Sequence, residues 1–260
     1  YLQSSSRSGE SLGDHLLRSG CGDLYENILK PFLRGVFLVD ISDVDAHYGK
    51  EIISSFLYGD SGLPRAGAGV LADALAARGE SIHLNSKVES LNQFAGKKII
   101  VATDSVTADT LLGTRTEVLW AQSFTYYHSI EAGALESSNL RVTSAHSPIV
   151  NSIALSNTIA DYAPVGITLV STTTLEPLDA STLKTELAKF WGINGFEEIA
   201  KFEIMNSLPV FRPGSHHHVQ SSKVSDNTFR AGDYLSAGSQ NAALLSGRLA
   251  ATELLASLAH

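Results

Sequence analysis

The sequence predicts a mixed α/β fold in two interleaved parts. Three observations predict it. Apolar residues recur at helical spacing from residue 12 to 58 and again from 239 to 258. Between 118 and 205 the weight shifts to Thr, Val, Ile and Tyr, the residues that suit a pleated sheet. A short β-like run at Phe229 then turns through Gly232 into the closing helix.

Taken in order, Leu12, Leu16, Leu17, Leu24, Ile28, Leu29 and Phe32 mark helix over 12–39, broken at Gly20 and Gly22. Pro31 is placed to kink or restart it. Asp45 to Tyr58 reads as an amphipathic helix with Ile52, Ile53, Phe56 and Leu57 on its apolar side. Pro64 to Gly69 is a turn, and Val70 to Arg78 a short helix stopped by Gly79. Two short strands are expected at Ser81–Asn85 and Lys87–Leu91, then a strand buried on both faces at Lys98–Thr103.

Further strands are expected at Val118–Ile130, Ile149–Leu155, Gly166–Thr173 and Glu198–Met205. A helix over Asp179–Phe190 has Ser181 as its expected cap. Pro213 to Asn227 is a polar loop. In the last helix, Ser239–Leu258, the residues Ala243, Gly247, Ala250, Ala251 and Leu254 form one stripe, small enough to lie close against a sheet.

Bulk properties narrow the function. The chain has 260 residues, 43% of them hydrophobic, enough for a sizeable core and too apolar for disorder. A formal net charge of −8 argues against nucleic acid as the main partner, because phosphate neutralisation needs a basic surface. It also weakens an electrostatic membrane anchor. No run of about 18 apolar residues occurs, so no transmembrane helix is expected.

One cysteine, Cys21, excludes an intramolecular disulfide, and a reducing, cytoplasmic compartment is the simple reading. Its neighbours Gly20, Gly22 and Asp23 offer nothing that would activate a thiolate. The start, Tyr1-Leu-Gln-Ser-Ser-Ser, has no signal-peptide pattern and no Met, so the natural start is expected upstream.

The strongest chemical feature is Ala231-Gly232-Asp233, followed by Gly238-Ser239 opening the last helix. Gly232 permits a tight turn, and Asp233 offers a carboxylate to sugar hydroxyls. The helix start at Ser239 to Ala242 presents free N–H groups and partial positive charge, suited to an oxygen carrying negative charge. The blander alternative is that Asp233 ends a turn and Ser239 caps a helix.

Phe229-Arg-Ala-Gly-Asp233, Gly238-Ser-Gln-Asn-Ala-Ala243 and Ser246-Gly-Arg-Leu-Ala-Ala251 together resemble the C-terminal flavin signature of the FAD-dependent amine oxidase, protoporphyrinogen oxidase and phytoene desaturase superfamily. Four more stretches resemble the same family in collinear order. Leu63-Pro-Arg-Ala-Gly-Ala-Gly69 is similar to its Pro-x-Gly-Gly segment, and Ile82-His-Leu-Asn-Ser-Lys-Val88 with Ile100-Val-Ala-Thr103 to strands around the adenine. Lys30-Pro-Phe-Leu-Arg-Gly-Val-Phe37 is similar to a substrate-domain helix.

The resemblance implies FAD as cofactor, with Val88, Ala102, Gly232, Asp233, Ser239, Gln240, Asn241 and Ala242 as its contacts. It implies a remnant of an FAD-binding Rossmann-like domain at 64–115 and 225–260, interleaved with a substrate domain, a mixed sheet plus helices, at 1–63 and 116–224. The implied parent oxidises a C–N or C–C bond of a small hydrophobic or amine-type substrate by hydride transfer to FAD. No catalytic side chain and no metal is assigned.

Family members open with a strand, G-x-G-x-x-G and a helix that bind the pyrophosphate. Here Gly67-Ala-Gly69-Val-Leu-Ala72 matches the spacing, but Pro64 and Arg65 precede it where a buried strand should end. About the first hundred residues of the family pattern are missing, so the segment alone is expected to lack activity. A non-catalytic scaffold of the same architecture, or an inactive truncated domain, are the competing expectations. Apolar surface left by a missing domain would favour a homodimer.

Elsewhere, His216-His217-His218 reads as a solvated loop rather than a metal site, since adjacent loop residues cannot all face one ion. Trp120, Tyr126, Tyr127 and Trp191 are read as core or as walls of a substrate cavity. Arg65 is either a partner for an anionic substrate or a surface charge.

Overall fold

The structure, a computed structural model, describes residues 4–58, 62–79, 81–143, 147–215 and 220–258. Its helices are α1 (Leu12–Arg18), α2 (Gly22–Leu24), α3 (Lys30–Phe37), α4 (Ala46–Tyr58), α5 (Gly69–Ala76), α6 (Ser105–Leu112), α7 (Leu155–Thr158), α8 (Ala180–Trp191) and α9 (Gln240–Ala256). Its strands are β1 (Ile99–Val101), β2 (Trp120–Glu131), β3 (Arg141–Val142), β4 (Ile149–Ala154), β5 (Ile167–Thr174), β6 (Glu197–Pro209) and β7 (Thr228–Arg230). They form two compact units, Tyr1–Ile82 with Trp120–Ser215, and His83–Leu119 with His216–His260.

The first unit is built on an antiparallel sheet in the order β3-β4-β5-β2-β6. Alternation along β2 sends Phe124, Tyr126, His128 and Ile130 to one face, where Leu183, Leu187 and Trp191 of α8 cover them. Tyr126 and Trp191 are therefore core, and the Trp191 indole N–H donates to Ser152 Oγ at 3.1 Å. Trp120 and Tyr127 are only half-buried, and Tyr127 meets Phe202 edge-on at 5.8 Å.

Asp179, not Ser181, caps α8. Its carboxylate accepts from the Ser181 and Thr182 N–H groups, and those bonds with their hydroxyls hold it far below the usual carboxylate range.

Ser11 caps α1, whose Leu12, His15 and Leu16 are buried. The Arg18 guanidinium lies 2.6 Å from the Glu10 carboxylate and holds its pKa down to about 2. The helical run continues through Pro31. Without an N–H, Pro31 cannot close the preceding turn, and residues Tyr25–Leu29 widen into a π turn just ahead of it. Asp45 accepts from the His47 and Tyr48 N–H groups and from that of Gly214, tying the start of α4 to the turn that follows β6.

On α4 the expected apolar side is corrected. Ala46, Tyr48 and Gly49 are buried, while Phe56 and Leu57 are 45% and 60% exposed. Gly49 sets this, because Leu12 lies where a side chain there would be.

The second unit is smaller. Strands β1 and β7 pair in parallel, Ile99 with Thr228 and Val101 with Arg230, and α9 packs Ala250 and Leu254 over Phe229, Ala231 and Ile100. The expected strands 81–85 and 87–91 are not strands. Extended chain becomes a strand only beside a ladder partner, and among the described residues neither has one. The strand expected to be buried on both faces is half-buried at Ile99 and Ile100. Of the expected α9 stripe, Ala250 and Leu254 pack against the sheet, while Ala242 and Ser246 are buried in place of Ala243 and Gly247, because Ser246 spends its polarity on backbone groups.

Two outcomes follow from this packing. A Cβ added at Gly49 would lie 2.6 Å from Leu12 Cδ2, so Gly49→Ala is expected to cost about 1–3 kcal/mol in urea unfolding. His128 is buried, its Nδ1 has no partner among the described residues, and burial pushes its pKa below 6.5. A depressed histidine pKa contributes stability above the unfolded value that is lost as pH falls below it. Thermal melts should lose midpoint temperature below about pH 6.5, and His128→Leu should flatten that slope.

Candidate flavin site at the carboxyl ends of two parallel strands

Parallel pairing sends both carboxyl ends of β1 and β7 the same way. Ala102 follows β1 and Ala231-Gly232-Asp233 follows β7, joined where the Ala231 N–H donates to the Val101 carbonyl at 2.9 Å. Asp104 then caps α6 by accepting from the Thr107 N–H at 3.0 Å. Both strands thus leave a carboxylate just beyond their ends.

Gly232 has its N–H bonded to Ser246 Oγ at 3.0 Å, which fixes the turn to the second turn of α9. Its backbone is extended, so the demand for glycine is steric: a Cβ would lie 2.1 Å from the Tyr234 ring. Asp233 opens a single tight turn over residues 233–235. Burial pushes its carboxyl above the usual aspartate range.

Ser239 caps α9, its hydroxyl accepting from the Ala242 N–H at 3.1 Å. That leaves the N–H groups of Gln240 and Asn241 at the positive end of a 17-residue helix. Val88 and Ala102 line an apolar groove of about 400 Å³ along β1, together with Leu91, Phe94, Ile100 and Leu111. All eight residues expected at the cofactor therefore fall in one unit, in two groups: Val88 and Ala102 along β1, and the other six between β7 and the start of α9.

Sequence reading missed three side chains here. Ser246 carries the Gly232 contact, and it stands seven residues, two helical turns, after the cap Ser239. The Tyr234 hydroxyl and Arg230 Nε are buried without a partner among the described residues. Arg230 also reaches Thr116 Oγ1 and Gln220 Oε1, each at 3.2 Å.

Other candidates separate from this site. Arg65 is an exposed surface charge 3.0 Å from Asp161. Among the described residues no strand leads into Gly67 and Gly69, where residues 62–68 are turns and irregular chain. His216, His217 and His218 lie outside the described residues, and among those described no cluster of metal ligands occurs.

The residues present fit part of an FAD. The α9 N-terminus suits an oxygen carrying negative charge, Asp233 suits a sugar hydroxyl, and the β1 groove suits a flat apolar ring system. Among the described residues no strand–glycine turn–helix serves a pyrophosphate.

Residues 2–114 match the family model described as flavin containing amine oxidoreductase. No curated protein matches the chain in sequence. Among solved structures, an oxidoreductase from Methanosarcina mazei superposes with a TM-score of 0.67 at 15% identity, over 96% of this chain and 68% of that one. A candidate protoporphyrinogen oxidase from Exiguobacterium sp. 255-15 gives 0.69 at 15%, over 99% and 70%. A reduced UDP-galactopyranose mutase gives 0.55 at 12%, over 82% and 58%. At such identities these likenesses speak for the fold. No helix among the described residues is long and apolar enough to cross a membrane. The family match thus takes in residues 2–114 of the 260, and over nearly the whole chain the likeness to these solved structures is one of fold.

Proposed function

We propose that this chain forms part of an FAD-dependent oxidoreductase that takes a hydride from a C–N or C–C bond of a small hydrophobic or amine-type molecule. The observation that carries the proposal is the convergence at the carboxyl ends of β1 and β7: Gly232 held by Ser246, Asp233 beside it, and α9 starting with N–H groups at Gln240 and Asn241 that have no partner among the described residues.

The chain's own residues bind and orient. Asp233 would accept from a ribityl or ribose hydroxyl, and the backbone at Gln240 to Ala242 would face the oxygen edge of the ring. Val88 and Ala102 would border the adenine half. When bound, the flavin supplies the hydride acceptor, and the protein supplies shape and electrostatics. The half-buried Tyr127 and the exposed Phe202, edge to face on the side of the β2–β6 ladder away from α8, offer an apolar surface for a substrate.

A second reading is a scaffold of the same fold that binds without catalysis, since architecture alone does not fix activity.

Flavin binding separates the two. The purified chain mixed with FAD and desalted is expected to keep blue and near-ultraviolet flavin bands. A chain that stays colourless at saturating FAD overturns the cofactor reading and leaves the scaffold. Asp233→Asn should weaken FAD binding about tenfold, as for loss of one charge-assisted hydrogen bond, with the melting curve retained. The sign with pH is fixed as well. Because burial raises the Asp233 pKa above 3.8, an interaction that needs its carboxylate should fade on acidification at a higher pH than an ordinary aspartate would give.

A further inference from the structure

Strand β6 is the edge of the five-stranded sheet, and its outer side has no strand beside it among the described residues. It is 13 residues long, and Phe202, Ile204 and Met205 are 53%, 43% and 58% exposed. An exposed apolar edge of that length is a template for another strand.

The ladder with β2 limits where a new strand can add. Register shifts fall between Tyr127 and His128 and between Ala121 and Ser123, so the regular stretch of β6 runs from Ala200 to Ile204. Irregularities twist an edge away from straight pairing, which leaves this five-residue window as the flat part. Its centre is Phe202. On either side stand opposite charges, Lys201 and Glu203, with Nζ and Oε1 2.7 Å apart.

We propose that two copies of this chain pair antiparallel through their β6 edges, about a two-fold axis at Phe202. In that register residue 201 of one copy stands opposite residue 203 of the other, so Lys201 faces Glu203 twice across the axis. Phe202 meets Phe202, and Ala200 meets Ile204. Glu198 and Glu197 fall opposite Asn206 and Ser207, so no like charges are paired directly.

Moving the axis one residue either way sets Lys201 against Lys201 or Glu203 against Glu203, which is destabilising. The charge pattern therefore selects one register. The interface uses the same patch on both copies, so it closes after two and gives one continuous ten-stranded sheet rather than a fibre.

Sedimentation velocity over a concentration series tests this, with circular dichroism to confirm folding. The wild-type chain should show a monomer–dimer equilibrium. Lys201→Glu and Glu203→Lys should each weaken the dimer about tenfold, since each puts two like-charged pairs across the axis. The double variant Lys201→Glu with Glu203→Lys should restore it. Phe202→Lys, which sets two ammonium groups on the axis, should give a monomer and reads the same contact without touching the pair. A wild-type monomer at every concentration overturns the proposal. So does a dimer that ignores the single reversals, or a double variant no tighter than the singles.

Discussion

Strand β2 has to satisfy hydrogen-bonding groups on both of its edges while hiding one face from water. Its 12 residues pair with β5 along one edge and β6 along the other. Because side chains alternate, this single run also decides which residues become core. Phe124, Tyr126, His128 and Ile130 go under α8, and Thr125, Tyr127 and Ser129 go to the other side. Once β2 is placed, α8 has an apolar surface to lie on, and its Asp179 cap and Gly192 stop fix where it begins and ends. The remaining strands of that sheet extend from it. Burying His128 within this core leaves its Nδ1 without a partner among the described residues.

How much of this is legible in the sequence depends on how local the cause is. Strands β2, β4 and β5, and helices α8 and α9, carry periodicity strong enough to place within a few residues. The segments 81–85 and 87–91 have the composition of strands but lack a neighbour, and a ladder is not a local property. On α4, spacing points to Phe56 and Leu57, yet a single close approach of Gly49 to Leu12 determines the buried end. On α9 the apolar stripe is right at Ala250 and Leu254 but misses Ala242 and Ser246, since hydrophobicity does not register a serine that satisfies itself against the backbone.

The candidate site divides in the same way. Gly232, Asp233 and Ser239 are visible in sequence because turn and cap chemistry is written in consecutive residues. Tyr234, Ser246 and Arg230 are not, because each acts through a partner from another element or through the absence of one. The glycine at 232 illustrates the difference. Sequence alone recommends it for backbone freedom, whereas the structure requires it to make room for an aromatic ring at an ordinary extended angle.

The unequal build of the two units has a consequence for how the molecule breathes. Around β2 a broad apolar cluster is clamped between sheet and helix, while β1, β7 and α9 rely on Phe229, Ala231 and Ala250 with two half-buried neighbours. Local opening follows the amount of buried apolar contact, so the amide protons of β1 and β7 exchange sooner than those of β2 and β5. A ligand lodged at the ends of those strands would act as a latch, and its tightness would be felt throughout that unit as slower opening.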